Sequence, residues 1–215
     1  MINLVFDYDG TLHDSMKIYA PAFRHCCNIM REDGENIREY SDDEIKSWIG
    51  MDVKTMWNEF QPDFSEEKKS YYSGFIGENM VSLINEGYAQ LYYGVPEMLS
   101  RLKRSYRLIF LSNCKRSYME AHKRAFSLNE YFSEFYCTED YGFQPKYKIF
   151  DQIKKDGEYI VIGDRYSDIE TAMRHKLKSI GCLYGYGADN ELAQADVQVT
   201  TIAELEAAVK KLGRV

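Results

Sequence analysis

From Tyr93 onward, short apolar runs alternate with amphipathic stretches, and this alternation constrains the fold more than any other feature of the chain. "RLIFLS", "EFYCTED", "EYIVIGD", "LKSIGCL" and "DVQV" read as buried strands. Helical periodicity fills 96–105, 115–127, 146–156, 167–176 and 201–212, with Pro96 suited to a first helical turn. Buried strands separated by helices predict an α/β fold, a Rossmann-like parallel sheet wound by crossovers. The N-terminal "INLVF" joins that sheet, although the next strand lies about a hundred residues further on.

The interval between them reads as helices only. Ser41 and Glu44 have capping-box spacing, with Gly50 as the stop signal. Asp52 can cap a helix carrying Met56, Trp57 and Phe60 on one face. A longer helix can run from Ser65 to about Glu86, weakened inside by Gly74 and Gly77. Residues 15–93 hold 8 Lys and Arg against 14 Asp and Glu, so this stretch carries −6 of the chain's net −7. The division expected is an α/β core of residues 1–15 and 91–215, interrupted after its first strand by an all-helical insert, residues 16–90.

The net charge argues against a nucleic-acid partner gripped by a broad basic surface. No run approaches the roughly 18 apolar residues of a membrane span, and the N-terminus lacks the pattern of a secretory leader. The five cysteines (Cys26, Cys27, Cys114, Cys137 and Cys182) form no C-x-x-C pair, so buried or idle thiols in a reducing cytoplasm are expected. A monomer or homodimer is expected. The four histidines show no metal-ligand spacing, and "GYGADN" lacks the third glycine and the strand–helix context of a dinucleotide loop.

In open parallel sheets, ligands sit at the carboxyl ends of the strands. Three such ends carry unusual polar groups. "VFDYDGT" supplies Asp7, Asp9, Gly10 and Thr11; "LIFLSNC" supplies Ser112 and Asn113; "YIVIGDRYSD" supplies Asp164 and Asp168. "QPKYKIF" adds Lys146 and Lys148 at a helix start. Two carboxylates about 4 Å apart repel by on the order of 4 kcal/mol at an effective dielectric of about 20, so the four acids need help. A hard divalent cation supplies it, and oxygen-only ligands suit Mg²⁺ completed by a substrate phosphate. A lysine such as Lys146 can balance more of the charge. The D-x-D spacing offers a second use: one carboxylate attacks phosphorus, and the other protonates the leaving oxygen and then activates water. Gly10 permits close backbone approach to a phosphate.

These residues resemble the haloacid dehalogenase superfamily in its phosphatase branch. "DYDGT" matches its D-x-D-G-T motif, the apolar strand ending in Ser112 its second motif, and "GDRYSD" its G-D-x-x-x-D motif. "GDRYSDIETAMRHKLKSIGCLYGYG" is similar to the C-terminal part of phosphoglycolate-phosphatase-like members, and the helical insert resembles the family's cap. The resemblance implies Asp7 as nucleophile and Asp9 as acid/base. It implies Mg²⁺ held by Asp7, the Asp9 backbone carbonyl and Asp164, supported by Asp168, with Ser112 and Lys146 completing the catalytic set. Gly10, Thr11, Ser112, Asn113 and Lys146 would contact the phosphate. Two features depart from the pattern. Tyr8 replaces an aliphatic residue, and Gln144–Pro145 stands where some relatives carry Lys-Pro, leaving Lys148 as the reserve to Lys146.

Plainer roles compete at several positions. Ser112 can cap the next helix, Asp168 can serve as a helix-start acid, and Lys146 as a solvated charge. Lys54, Lys115, Arg116 and Arg165 are surface charges or substrate contacts, with Lys54 favoured as the contact from the insert. The expected activity is Mg²⁺-dependent hydrolysis of a small phosphorylated metabolite, such as a phosphoglycolate-like ester, a sugar phosphate or a nucleotide monophosphate. The alternatives are a phosphomutase of the β-phosphoglucomutase type and a non-catalytic phosphate-binding regulator.

Overall fold

The computed structural model describes residues 1–213. Strand β1 (Asn3–Phe6) is followed by four helices: α1 (Met16–Glu32), α2 (Asp42–Trp48), α3 (Val53–Phe60) and α4 (Glu66–Asn85). Strands and helices then alternate through α5 (Val95–Leu102), β2 (Arg107–Ser112), α6 (Arg116–Ala125), β3 (Glu134–Cys137), α7 (Lys146–Ile153) and β4 (Tyr159–Gly163). The chain continues with α8 (Tyr166–His175), β5 (Lys178–Cys182), β6 (Val197–Val199) and α9 (Ile202–Leu212). All six strands are parallel, in the order β3-β2-β1-β4-β5-β6. This is the α/β sheet expected from the alternation. "EFYCTED" supplies a shorter strand than its length allows, because Thr138–Tyr141 turn into a 3₁₀ helix.

Alternation along the strands sends Leu4, Phe6, Leu108 and Phe110 to one face, where α5, α6 and α9 cover them. Val5, Ile109, Leu111 and Val161 face the other way, under α7 and α8. Burial on both faces explains the unbroken apolar runs. Each fully buried Phe or Leu contributes roughly 1.5–3 kcal/mol.

The helices between β1 and β2 enclose a separate apolar cluster around Phe23, Ile45, Trp57, Phe60 and Tyr72. Their starts follow the sequence signals. Ser41 accepts from the Glu44 amide while the Glu44 side chain returns to the Ser41 amide, and Asp52 and Ser65 cap α3 and α4. Helix α4 packs on α1 and also reaches α6 of the sheet layer. All five cysteines are unpaired and buried. Among the described residues, no helix is long and apolar enough to cross a membrane.

Candidate active site

Strands β2, β1 and β4 are adjacent, so their carboxyl ends bring Ser112, Asp7 and Asp164 to one edge. The Asp7 amide still donates to the Ile162 carbonyl over 2.8 Å, which fixes the point where the backbone leaves the sheet. Asp168 arrives from the first turn of α8 and Lys146 from the first residue of α7. All five side chains are buried.

Lys146 Nζ lies 2.6 Å from Asp7 Oδ1 and 2.7 Å from Asp168 Oδ1. Lys148 is exposed, which removes the reserve lysine from the cluster. Asp168 also accepts from the Arg165 amide through its other oxygen, so its helix-start role and its place in the cluster coexist. Asp164 accepts from Thr11 Oγ1 at 3.0 Å and from the Tyr186 amide at 2.7 Å. Ser112 caps nothing: α6 begins four residues later, after Lys115.

Oxygens of Asp7, Asp164 and Asp168 all lie within 4.8 Å of one another. Three carboxylates face one ammonium there, and burial makes the imbalance costly. Burial pushes Asp7 well above the ordinary carboxylate value, against the pull of Lys146. Burial likewise raises Asp164, to about 6. Burial alone would favour a neutral Lys146 amine, but Asp168 and Asp7 outweigh it and hold the ammonium above its usual value. A buried, all-oxygen, anionic donor set of this kind fits a hard divalent cation such as Mg²⁺.

Asp9 is turned away from this cluster. Its Oδ1 accepts from Ser15 Oγ at 2.5 Å and from the Tyr118 hydroxyl at 2.6 Å, and lies 3.1 Å from His13 Nδ1. Burial would raise the Asp9 carboxyl, but the His13, Ser15 and Tyr118 contacts prevail and hold it below its ordinary value. Behind it, Tyr8 stacks on His13 and meets His122 Nδ1 at 2.8 Å. The outer nitrogens of His13 and His122 are buried without a partner among the described residues. His13, Ser15 and Tyr118 were not singled out from the sequence. The first two lie within "TLHDS" just after the motif, and Tyr118 stands 109 residues from Asp9.

Gly10 and Thr11, expected at the phosphate, both lie against Asp164. Gly10 has φ +80°, gives its amide to the His13 carbonyl, and would drive a Cβ into the Asp164 carboxylate. Thr11 spends its hydroxyl on Asp164. Both shape the Asp164 side of the cluster. Gly185 and Gly187, from the stretch dismissed as a dinucleotide loop, also press on Asp164 and leave no room for side chains. Tyr186 between them joins the apolar cluster of the inserted helices.

Asn113 Nδ2 donates to the Gly50 carbonyl at 3.2 Å, so its amide ties the α2–α3 turn to the sheet edge. Arg165 makes a parallel tie, donating to the Ser47 and Tyr186 carbonyls and approaching Glu191 at 3.3 Å. Arg116 pairs with Asp140 on the surface. Lys54 is exposed, between Val53 and Thr55, which line the larger of the two cavities beside the site.

Two cavities meet at Gly50, Met51, Asn113, Cys114 and Lys115. One, of about 440 Å³, is lined by Lys146, Arg165, Thr138 and Ser167, whose hydroxyl is enclosed without a partner among the described residues. The other, of about 140 Å³, is lined by Asp9 and Tyr118 and by apolar side chains of α1–α4.

The haloacid dehalogenase-like hydrolase family matches this chain over residues 4–182. A phosphoglycolate phosphatase from Aquifex aeolicus (strain VF5) is 27% identical over 191 residues, covering 85% of each chain. Among solved structures, a predicted phosphatase from Clostridium acetobutylicum superposes with a TM-score of 0.82 at 23% identity, over 97% of this chain and 98% of that one. CbbY from Rhodobacter sphaeroides, in complex with phosphate, gives 0.76 at 21% identity, over 94% and 95%. The chain belongs to the haloacid dehalogenase-like hydrolases. It is an enzyme, a hydrolase by its family.

Proposed function

We propose that this enzyme is a Mg²⁺-dependent phosphomonoester hydrolase that passes through an aspartyl phosphate on Asp7 and acts on a small phosphorylated metabolite. The observation that carries the reading is the separation of the two motif carboxylates. Asp7 is paired with Lys146 inside the acidic cluster, while Asp9 sits on the far side, facing an apolar cavity. One is suited to attack and the other to handle the leaving group.

Asp7, the Asp9 backbone carbonyl and Asp164 would hold the cation, with Asp168 supporting them. When bound, the ion neutralises the carboxylates and polarises a phosphate oxygen. An Asp7 oxygen forms the bond to phosphorus as the ester P–O bond breaks, and Asp9 gives its proton to the departing alcohol. Asp9 then takes a proton from water, whose oxygen attacks phosphorus and releases phosphate, restoring the Asp7 carboxylate. Lys146 neutralises charge on the transferring group, and Ser112 lies at the strand end beside it.

The division proposed is a core of residues 1–15 and 91–215 with residues 16–90 as a cap. The Asn113–Gly50 and Arg165–Ser47 contacts support a cap that closes over the site and excludes water. A phosphomutase would need cationic groups for a second phosphate, and the cavity beside Asp9 offers only Lys115. The test is phosphate release from a panel of phosphomonoesters with Mg²⁺, by wild type and Asp7→Asn. Wild type should turn over and correctly folded Asp7→Asn should not. Release at near-wild-type rates by the variant would end the covalent reading.

A further inference from the structure

We infer that the leaving group is a small apolar alcohol of about one ring in size, not a carboxylate-bearing one. This narrows the phosphatase reading and rests on it. The cavity next to Asp9 is walled by Tyr19, Trp48, Met51, Met56, Ile76 and Met80, drawn from all four inserted helices and the α2–α3 turn. Asp9, Ser15 and Tyr118, joined by hydrogen bonds on Asp9 Oδ1, supply one polar side, and Ser73, Asn113, Lys115 and Ser117 are the other polar lining residues. The phosphoryl group belongs on the other side, against Asp7 and its partner Lys146, which also lines the larger cavity. An ester spanning the junction therefore puts its bridging oxygen near Asp9 and its carbon skeleton among the methionines.

Size and charge both point the same way. A volume of about 140 Å³ is close to the roughly 150 Å³ of an apolar cavity that takes benzene. A two-carbon acid would fill little of it. Its carboxylate would lose hydration against thioether and aliphatic groups, with Lys115 the single cation among the lining residues. Lys115 lines both cavities, so a phosphate beside it would compete for that single charge.

Gly77 shows how the space is kept. It lies inside α4, and a Cβ built on it would meet only Lys115 Nζ, 3.9 Å away. The helix gives up propensity there and leaves the cavity open. A larger side chain at 77 would extend into the cavity without colliding with backbone.

The test compares kcat/KM for benzyl, methyl and glycerol phosphates and phosphoglycolate, with p-nitrophenyl phosphate as an activated control, all with Mg²⁺. Benzyl phosphate should exceed methyl phosphate and phosphoglycolate by about tenfold or more, mostly through KM. Gly77→Leu should cut the benzyl-to-methyl ratio about tenfold, with no fall in thermal midpoint because leucine favours a helix interior over glycine. Met80→Lys, at a half-buried position, should lower that ratio and raise phosphoglycolate turnover. Hydrolysis with phosphoglycolate equal to or better than benzyl phosphate would overturn the inference and leave the phosphatase reading standing. So would a benzyl-to-methyl ratio unmoved by both variants. No phosphate from any ester, the activated control included, would overturn both.

Discussion

Lys146 and Asp7 stand 139 residues apart in sequence and 2.6 Å apart in space, both buried, with Asp168 on the ammonium's other side. Removing one member of a buried charge group leaves the others uncompensated, at about 3–5 kcal/mol. Lys146→Met should therefore destabilise the metal-free protein by roughly that amount at neutral pH and reduce turnover about a hundredfold or more. Lys148→Met, at an exposed position, should stay within about twofold of wild type. Urea unfolding and kcat for the two variants, side by side, make the check. Equal effects would deny Lys146 its special place.

The acidic cluster predicts how metal and pH trade off. Burial raises Asp164 from an ordinary 3.8 to about 6, and raises Asp7 as well. Because the folded state binds these protons more tightly than the unfolded state, metal-free stability is greatest below the unfolded value. It is lost as pH rises through the window from 3.8 to about 6. A cation that binds the ionised carboxylates acts in the opposite sense. Mg²⁺ should raise the thermal midpoint by several degrees at about pH 7 and by little at about pH 5. Chelation should abolish turnover, and Ca²⁺, with its longer bonds and larger coordination number, should restore it poorly. An identical midpoint shift at both pH values would contradict the assignment of the cluster to metal.

Gly10 is held at φ +80° against the Asp164 carboxylate. Gly10→Ala would impose the left-handed penalty of ~1–2 kcal/mol and force Asp164 to move. The expected result is a loss of stability above that figure together with weaker Mg²⁺ binding, measured by calorimetry at neutral pH. Stability lost with unchanged Mg²⁺ affinity would mean that Asp164 does not depend on Gly10 for its position.

The strand ends and helix starts were legible because they rest on local rules. Apolar runs gave β1, β2 and β4, and side-chain caps gave the starts at Ser41, Asp52 and Ser65. Parallel topology then required Asp7 and Asp164 to be neighbours, and Lys146 followed from its place at a helix start. What escaped depends on tertiary register. Tyr118 reaches Asp9 only because of how α6 lies on the sheet, and a surface tyrosine would look the same in sequence. The Gly185 and Gly187 contacts with Asp164 arise after β5, where the loop folds back over β4. Gly77 read as a weak point in a helix, because its purpose lies in the empty volume beside it. Asn113 and Arg165 were read as groups for a ligand or for solvent, yet both hold the α2–α3 region, a partner no local pattern announces.

The Tyr118–Asp9 contact yields a prediction about the direction of a pH effect. Burial works to raise the Asp9 carboxyl, and the donors around it, Tyr118 included, keep it low. Tyr118→Phe removes one donor while keeping the ring that lines the leaving-group cavity, so the Asp9 carboxyl should rise. An acid must be protonated to act, and a higher value keeps it protonated to higher pH. With Mg²⁺ saturating, the ratio of Tyr118→Phe to wild-type kcat on an alkyl phosphate should therefore climb as pH goes from about 5 to 8. On an activated aryl phosphate, whose leaving group needs no proton, the ratio should stay flat. Asp9→Asn should lose about a hundredfold or more on the alkyl ester and less on the aryl one, with no pH trend in the difference. Paired pH profiles on the two esters supply the measurement. A ratio that falls with pH on the alkyl ester, or climbs equally on both, would remove Asp9 from the acid role.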